Sequence, residues 1–172
     1  MNKEELKKYC DLIIEVGVNL YPEQCLNINC GIRNYDFAML LAETAYEKGA
    51  KYVDFKTGSN LLSKFRINNN NNSEDLEFIP SYLISKTNEM LANDWAFASI
   101  DNLEELDVLK EIDSDKFGLM IKREQEAFKA SSKALGSSKN TWTIAAAPGP
   151  GWASKVFNKP ELSEKNTEDL WK

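Results

Sequence analysis

The sequence predicts an α/β fold, a mostly parallel sheet flanked by helices, and three observations carry that expectation. Short apolar or alternating runs recur near residues 25–30, 51–56, 95–100 and 141–146. Amphipathic stretches separate them, so strand alternates with helix. The joints around the first helix between strands are short, as in a βαβ unit, which pairs its strands in parallel through a right-handed crossover.

Residues 3 to 19 read as a helix, with Leu6, Cys10, Ile13, Ile14 and Gly17 on one stripe. Glu4 and Glu5 complement the dipole of its first turn. Pro22 cannot extend it, so Tyr21 to Gln24 make a turn. Residues 25 to 30 then alternate, placing Leu26 and Ile28 on one face. After Gly31, Asn34 or Asp36 can cap a helix running to Lys48, with Phe37, Leu40, Leu41, Thr44 and Ala45 as its apolar stripe. Gly49 suits the position just past its end. Residues 52 to 55 form the next strand.

Asn60 to Ile67 can begin another helix. Asn68 to Asn72 is an unbroken asparagine run, read as a solvated loop insertion because asparagine favours turns. Residues 73 to 93 are helical in pattern, with Pro80 splitting them in two. Residues 95 to 100 are a buried strand, followed by Asp101 as a cap and a short helix carrying Leu103, Leu106 and Leu109. Ser114 opens a long helix with Leu119, Ile121, Phe128 and Leu135. Residues 141 to 146 are a strand, and Pro148 to Gly151 turn the chain sharply. Thr167 reads as the cap of a last helix that stops after about one turn, while isolated helices need ~12 or more residues. The expectation is therefore a domain over 1–166, with 167–172 the start of a truncated helix at a domain junction.

Composition narrows the function. A chain of 172 residues suits one domain. Lys plus Arg total 21 against 27 acids, a net charge of -6, and the basic residues are scattered, so nucleic acid is a poor partner. The cysteines Cys10, Cys25 and Cys30 match no zinc spacing and read as buried thiols of a reducing compartment. No signal peptide or run of ~20 apolar residues is visible, which points to the cytoplasm and away from a membrane. There is no histidine, the usual acid–base group and metal ligand.

The motifs have plain readings. Gly149-Pro150-Gly151 lacks the lysine of a phosphate loop, and its prolines remove donors, so it reads as a turn. The acids Glu4/Glu5, Glu104/Glu105/Asp107 and Glu168/Asp169 fall near helix starts and read as solvated complements to the dipole. Ser63-Lys64 and Ser132-Lys133 read as exposed helix positions, not nucleophile–base pairs. Catalytic and metal-binding residues are expected to be absent. Trp95 and Trp142 read as core. Trp152, Phe157, Leu170 and Trp171 are the candidates for contact with another domain or a dimer partner, because they place large apolar groups in a stretch too short for its own core.

The order of these pieces resembles the N-terminal domain of the thermophilic-type metallo-aminopeptidases, the family of aminopeptidases T and S. The resemblance rests on LKKYCDLIIEVGVNL from Leu6, on Pro22-Glu23-Gln24, on LLAETAYEKGAKYVDF from Leu40 to Phe55, on TWTIAAAPGPGWASKVF from Thr141 to Phe157, and on TEDLWK at 167–172. The departures are Glu23, where the family tends to carry Gly, and the asparagine run. The resemblance implies a dimeric enzyme that removes N-terminal amino acids with two divalent metal ions, such as zinc or cobalt, held by a C-terminal domain. In this reading the chain holds no cofactor and is inactive alone. Its partners would be the missing catalytic domain and a second subunit. An alternative is a stand-alone α/β module binding a small ligand at the loops after Cys30, Phe55, Ile100 and Ala146.

Overall fold

A computed structural model describes residues 3–101, 104–137, 139–159 and 163–171. Its centre is a parallel sheet of four strands among the described residues: β1 (Cys25–Gly31), β2 (Tyr52–Gly58), β3 (Ala96–Ile100) and β4 (Trp142–Ala145). The order across the sheet is β2-β1-β3-β4, all parallel, with Leu26 beside Val53 and Ala96 and with Phe97 beside Trp142. The expected strands and their orientation are all present.

One face of the sheet is the apolar core. Leu26, Ile28 and Ala96 are fully buried, with Val53, Ala98, Ile100 and Ala145 beside them. Helices α1 (Lys3–Leu12) and α2 (Tyr35–Glu47) cover it, supplying Cys10, Ala38, Leu41 and Ala45. The stripe holds through Cys10, Ile13 and Ile14, but the helix widens to a π turn over Ile13–Gly17, which puts Val18 in the core in place of the expected Gly17. That turn lays Gly17 on β4: a Cβ there would stand 3.1 Å from Thr143 Oγ1, so the contact wants glycine. Gly49, at φ +92°, ends α2 in the expected way, and the N–H of Ala50 donates to Ala45 O across the turn (2.9 Å).

The other face is lined by α5 (Ser81–Ala92), α6 (Ser114–Ala127) and α7 (Lys129–Gly136), while α3 (Asn60–Asn69) packs on Leu106–Glu111 and α4 (Ser73–Glu77) on α6. Pro80 does split the helical stretch. The long helix from Ser114 is broken at Phe128, without glycine or proline at the break. The short helix near residue 106 is a 3-10 turn, Leu106–Glu111, and Leu103 lies outside the described residues. The chain closes with α8 (Pro150–Val156) and α9 (Glu164–Leu170). The last helix begins at Glu164, not at Thr167, whose hydroxyl lies inside it and donates to Ser163 O.

Two further corrections bear on the site. Asn34 precedes α2 but makes no side-chain cap; its amide donates to Ala147 O (2.7 Å) and ties β1 to the loop after β4. Trp142 is not core: it is 50% exposed, because β4 is the edge of the sheet. Trp95 sits just ahead of β3, half-buried and edge-on to Tyr52. Cys10 and Cys30 are buried, Cys25 is half-buried, and all three thiols are free. No described helix is long and apolar enough to cross a membrane.

Candidate functional site

Open parallel sheets usually take ligands at the carboxyl ends of their strands. Here two successive carboxylates occupy that end. Glu104 accepts from the backbone N–H groups of Gly149 (2.9 Å), Gly151 (2.6 Å) and Trp152 (3.1 Å). The Gly-Pro-Gly turn is therefore more than a redirecting loop, since its amides converge on an anion that the protein itself supplies. A Cβ at Gly149 would lie 2.6 Å from Glu104 Cδ, and one at Gly151 would lie 2.6 Å from Glu104 O, so both glycines are required by close approach. Glu105 is buried and serves α3 in the same way, accepting from Asn60 N–H (2.7 Å) and Ser59 Oγ–H (2.9 Å).

The acids at 104 and 105 thus complement helices remote in sequence rather than a helix of their own. Only Asp107 behaves as the solvated residue expected there. It pairs with Lys110 (2.7 Å) and Lys155 (3.1 Å), whose hydrogen bonds hold its carboxyl below the usual range. Carboxylates already bound to amides are poor candidates for general base or metal ligand. No three His, Cys, Asp or Glu among the described residues converge as a metal site.

The open space lies elsewhere, on the second face of the sheet. A groove of about 580 Å³ runs between that face and α5, α6 and α7. Its floor comes from the residues that alternate with the core set: Asn27 and Asn29 of β1, Phe97 and Ser99 of β3, Trp142 and Ile144 of β4. Tyr82, Met90 and Phe128 line the helical side. At the β2 end, Asp54 accepts from Asn27 Nδ2 (2.8 Å) and pairs with Lys86 of α5, while Lys56 stands 5.9 Å from the centre of the Phe128 ring. Parallel sheets buried on both faces carry near-continuous apolar strands. The alternation of Asn27, Asn29, Asp54, Lys56 and Ser99 was the signal that this face is not so buried.

The four candidate contact residues separate by position. Trp152 and Leu170 are half-buried, and Phe157 is 39% exposed beside Val156 at 53%. Trp171 packs inward, its ring 6.0 Å from Tyr9 and 5.8 Å from Phe37. The tail therefore has partners within the domain.

The sequence profile of a family described as Thermophilic metalloprotease (M29) matches residues 2–172. Aminopeptidase 2 of Geobacillus stearothermophilus is 30% identical over 98% of this chain and 40% of its own length. Aminopeptidase AmpS of Bacillus subtilis is 32% identical over 97% of this chain and 40% of its own. The solved structure of wild-type AmpT from Thermus thermophilus superposes with a TM-score of 0.89 at 28% identity, covering 98% of this chain and 42% of that one. The chain spans about 40% of the length of the curated relatives it matches, an N-terminal portion.

Proposed function

Because the chain belongs to the thermophilic metalloprotease (M29) family, we propose that it is the non-catalytic N-terminal α/β domain of a metal-dependent aminopeptidase. The observation that carries the reading is the match of nearly the whole chain to 40% of enzymes that bear the name aminopeptidase. The donor set agrees. The sequence has no histidine, and Glu104 and Glu105 at the strand ends are bound to backbone amides. These residues do not fit a pair of divalent ions, so in this reading such ions would be held by the larger, unmatched part of the enzyme.

The domain's task would then be structural. Its sheet and the α8–α9 tail would wall the cavity in which a peptide's N-terminus is cut, and Phe157 and Val156 would meet the catalytic part or a second subunit. A cytoplasmic, dimeric enzyme is part of the same proposal and rests on the family resemblance. The test is an assay of the purified chain with chromogenic aminoacyl amides in the presence of cobalt, zinc or manganese. No turnover is expected. Turnover that co-purifies with the chain through successive columns would overturn the reading.

A further inference from the structure

The two edges of the sheet differ in a way that points to an occupant. The β2 edge carries Asp54 and Lys56, charges of the kind that keep a sheet edge from pairing with other chains. The β4 edge, from Thr141 to Ala146, carries no charge and no proline. Its backbone is set for pairing. Thr141 O and Ala145 O accept from Phe97 and Asp101 on the β3 side. Within a strand the N–H and C=O of one residue point the same way and successive residues alternate, so those of Trp142 and Ile144 point outward. No strand lies beside them among the described residues.

The side chains agree with the backbone. Trp142 is 50% and Ile144 64% exposed, both on the groove face. On the opposite face the π turn seals β4 through Gly17 and Thr143, and Val16 beside it is 69% exposed. Tyr9 O–H donates to Ala146 O (3.0 Å), which closes the edge at its carboxyl end. What remains open is one short strand edge with an apolar strip along the groove.

We propose that this edge receives an extended strand from the unmatched larger part of an M29 chain, continuing the sheet past β4 and roofing the groove over Trp142 and Ile144. The inference rests on the domain reading above. The occupant follows from length and chemistry: most of each relative lies outside the region this chain matches, and an uncharged edge selects a strand with apolar residues on its groove side. Every second residue of that strand would cover Trp142 and Ile144.

The experiment reads amide hydrogen exchange residue by residue in the full 172-residue chain, alone and with the separately expressed unmatched portion of Bacillus subtilis AmpS. Alone, Thr143 and Ala145 should exchange slowly through their pairing with β3, and Trp142 and Ile144 quickly. With the partner, Trp142 and Ile144 should slow by about tenfold or more. Ile144→Pro removes one outward N–H and leaves the β3 ladder intact, so it should keep Thr143 protected and weaken the complex. Association, seen by sedimentation, with unchanged exchange at Trp142 and Ile144 would overturn the edge proposal and leave the domain reading standing. No association, with the AmpS portion shown to be folded by circular dichroism, would overturn the edge proposal, while the domain reading stands or falls by the turnover assay above. Protection in the chain alone that grows with its own concentration would assign the edge to a second copy and overturn the proposed occupant.

Discussion

Glu23 adopts φ +66°, a conformation that costs a residue with a side chain roughly 1–2 kcal/mol and glycine almost nothing. Its N–H donates to Gly49 O (2.8 Å), so the turn into β1 holds it there. Glycine would take this turn without that strain, and Glu23→Gly should raise stability by about 1 kcal/mol in urea unfolding. Glu104 works in the opposite sense. Its carboxylate satisfies the amides of Gly149, Gly151 and Trp152, and Glu104→Ala should cost about 2 kcal/mol by the same measurement. Cys10 supplies a pH signature. Burial pushes its thiol from 9.0 up to about 11, with Lys7 and a hydrogen bond to Thr44 opposing. Burial also raises Cys30. A thiol that stays protonated in the folded state but ionises when unfolded contributes stability fully below its unfolded pKa. Stability should therefore fall between about pH 9 and pH 11, and Cys10→Ser or Cys10→Ala should flatten that fall.

Among the elements, the α8–α9 tail and β4 are the ones to which the proposed function assigns the domain's contacts. Trp171 stands with Tyr9 and Phe37 in one aromatic cluster, and Asn166 of α9 is buried. A chain ending at Lys159 should lose about 2 kcal/mol and unfold roughly 4–8 °C lower in a thermal scan. An unchanged midpoint would return the tail to the role of pure interface. The strands were legible in the sequence because alternation and apolar runs are local signals, and helix boundaries were marked by Pro80, whose ring fixes φ, and by Gly49, which takes a positive φ freely. The π turn was not legible: α-helical spacing put Gly17 on the stripe with Cys10, Ile13 and Ile14, and the added residue in the turn buries Val18 instead. Nor was the break at Phe128, which has no Gly or Pro to announce it. The exposure of Trp142 depends on what lies beyond β4, and no pattern within Thr141–Ala146 encodes that. Glu104 and Glu105 were visible as acids, but their partners lie 44 to 48 residues away and only the fold brings them together.

At the scale of the whole molecule, the domain has one sheet face sealed by α1 and α2 and the other open as a groove that reaches the unblunted β4 edge. The end of the sheet where an α/β protein would normally present chemistry is tied shut by its own carboxylates. In the proposed reading, the domain is a scaffold whose work lies at its surfaces. The central claim, that the chain carries no metal chemistry of its own, is tested most directly by equilibrium dialysis of the pure folded chain against micromolar zinc, cobalt or manganese, with bound metal counted per chain. The account predicts no stoichiometric retention. Two ions held per chain, and released on replacing Glu104 or Glu105, would contradict it.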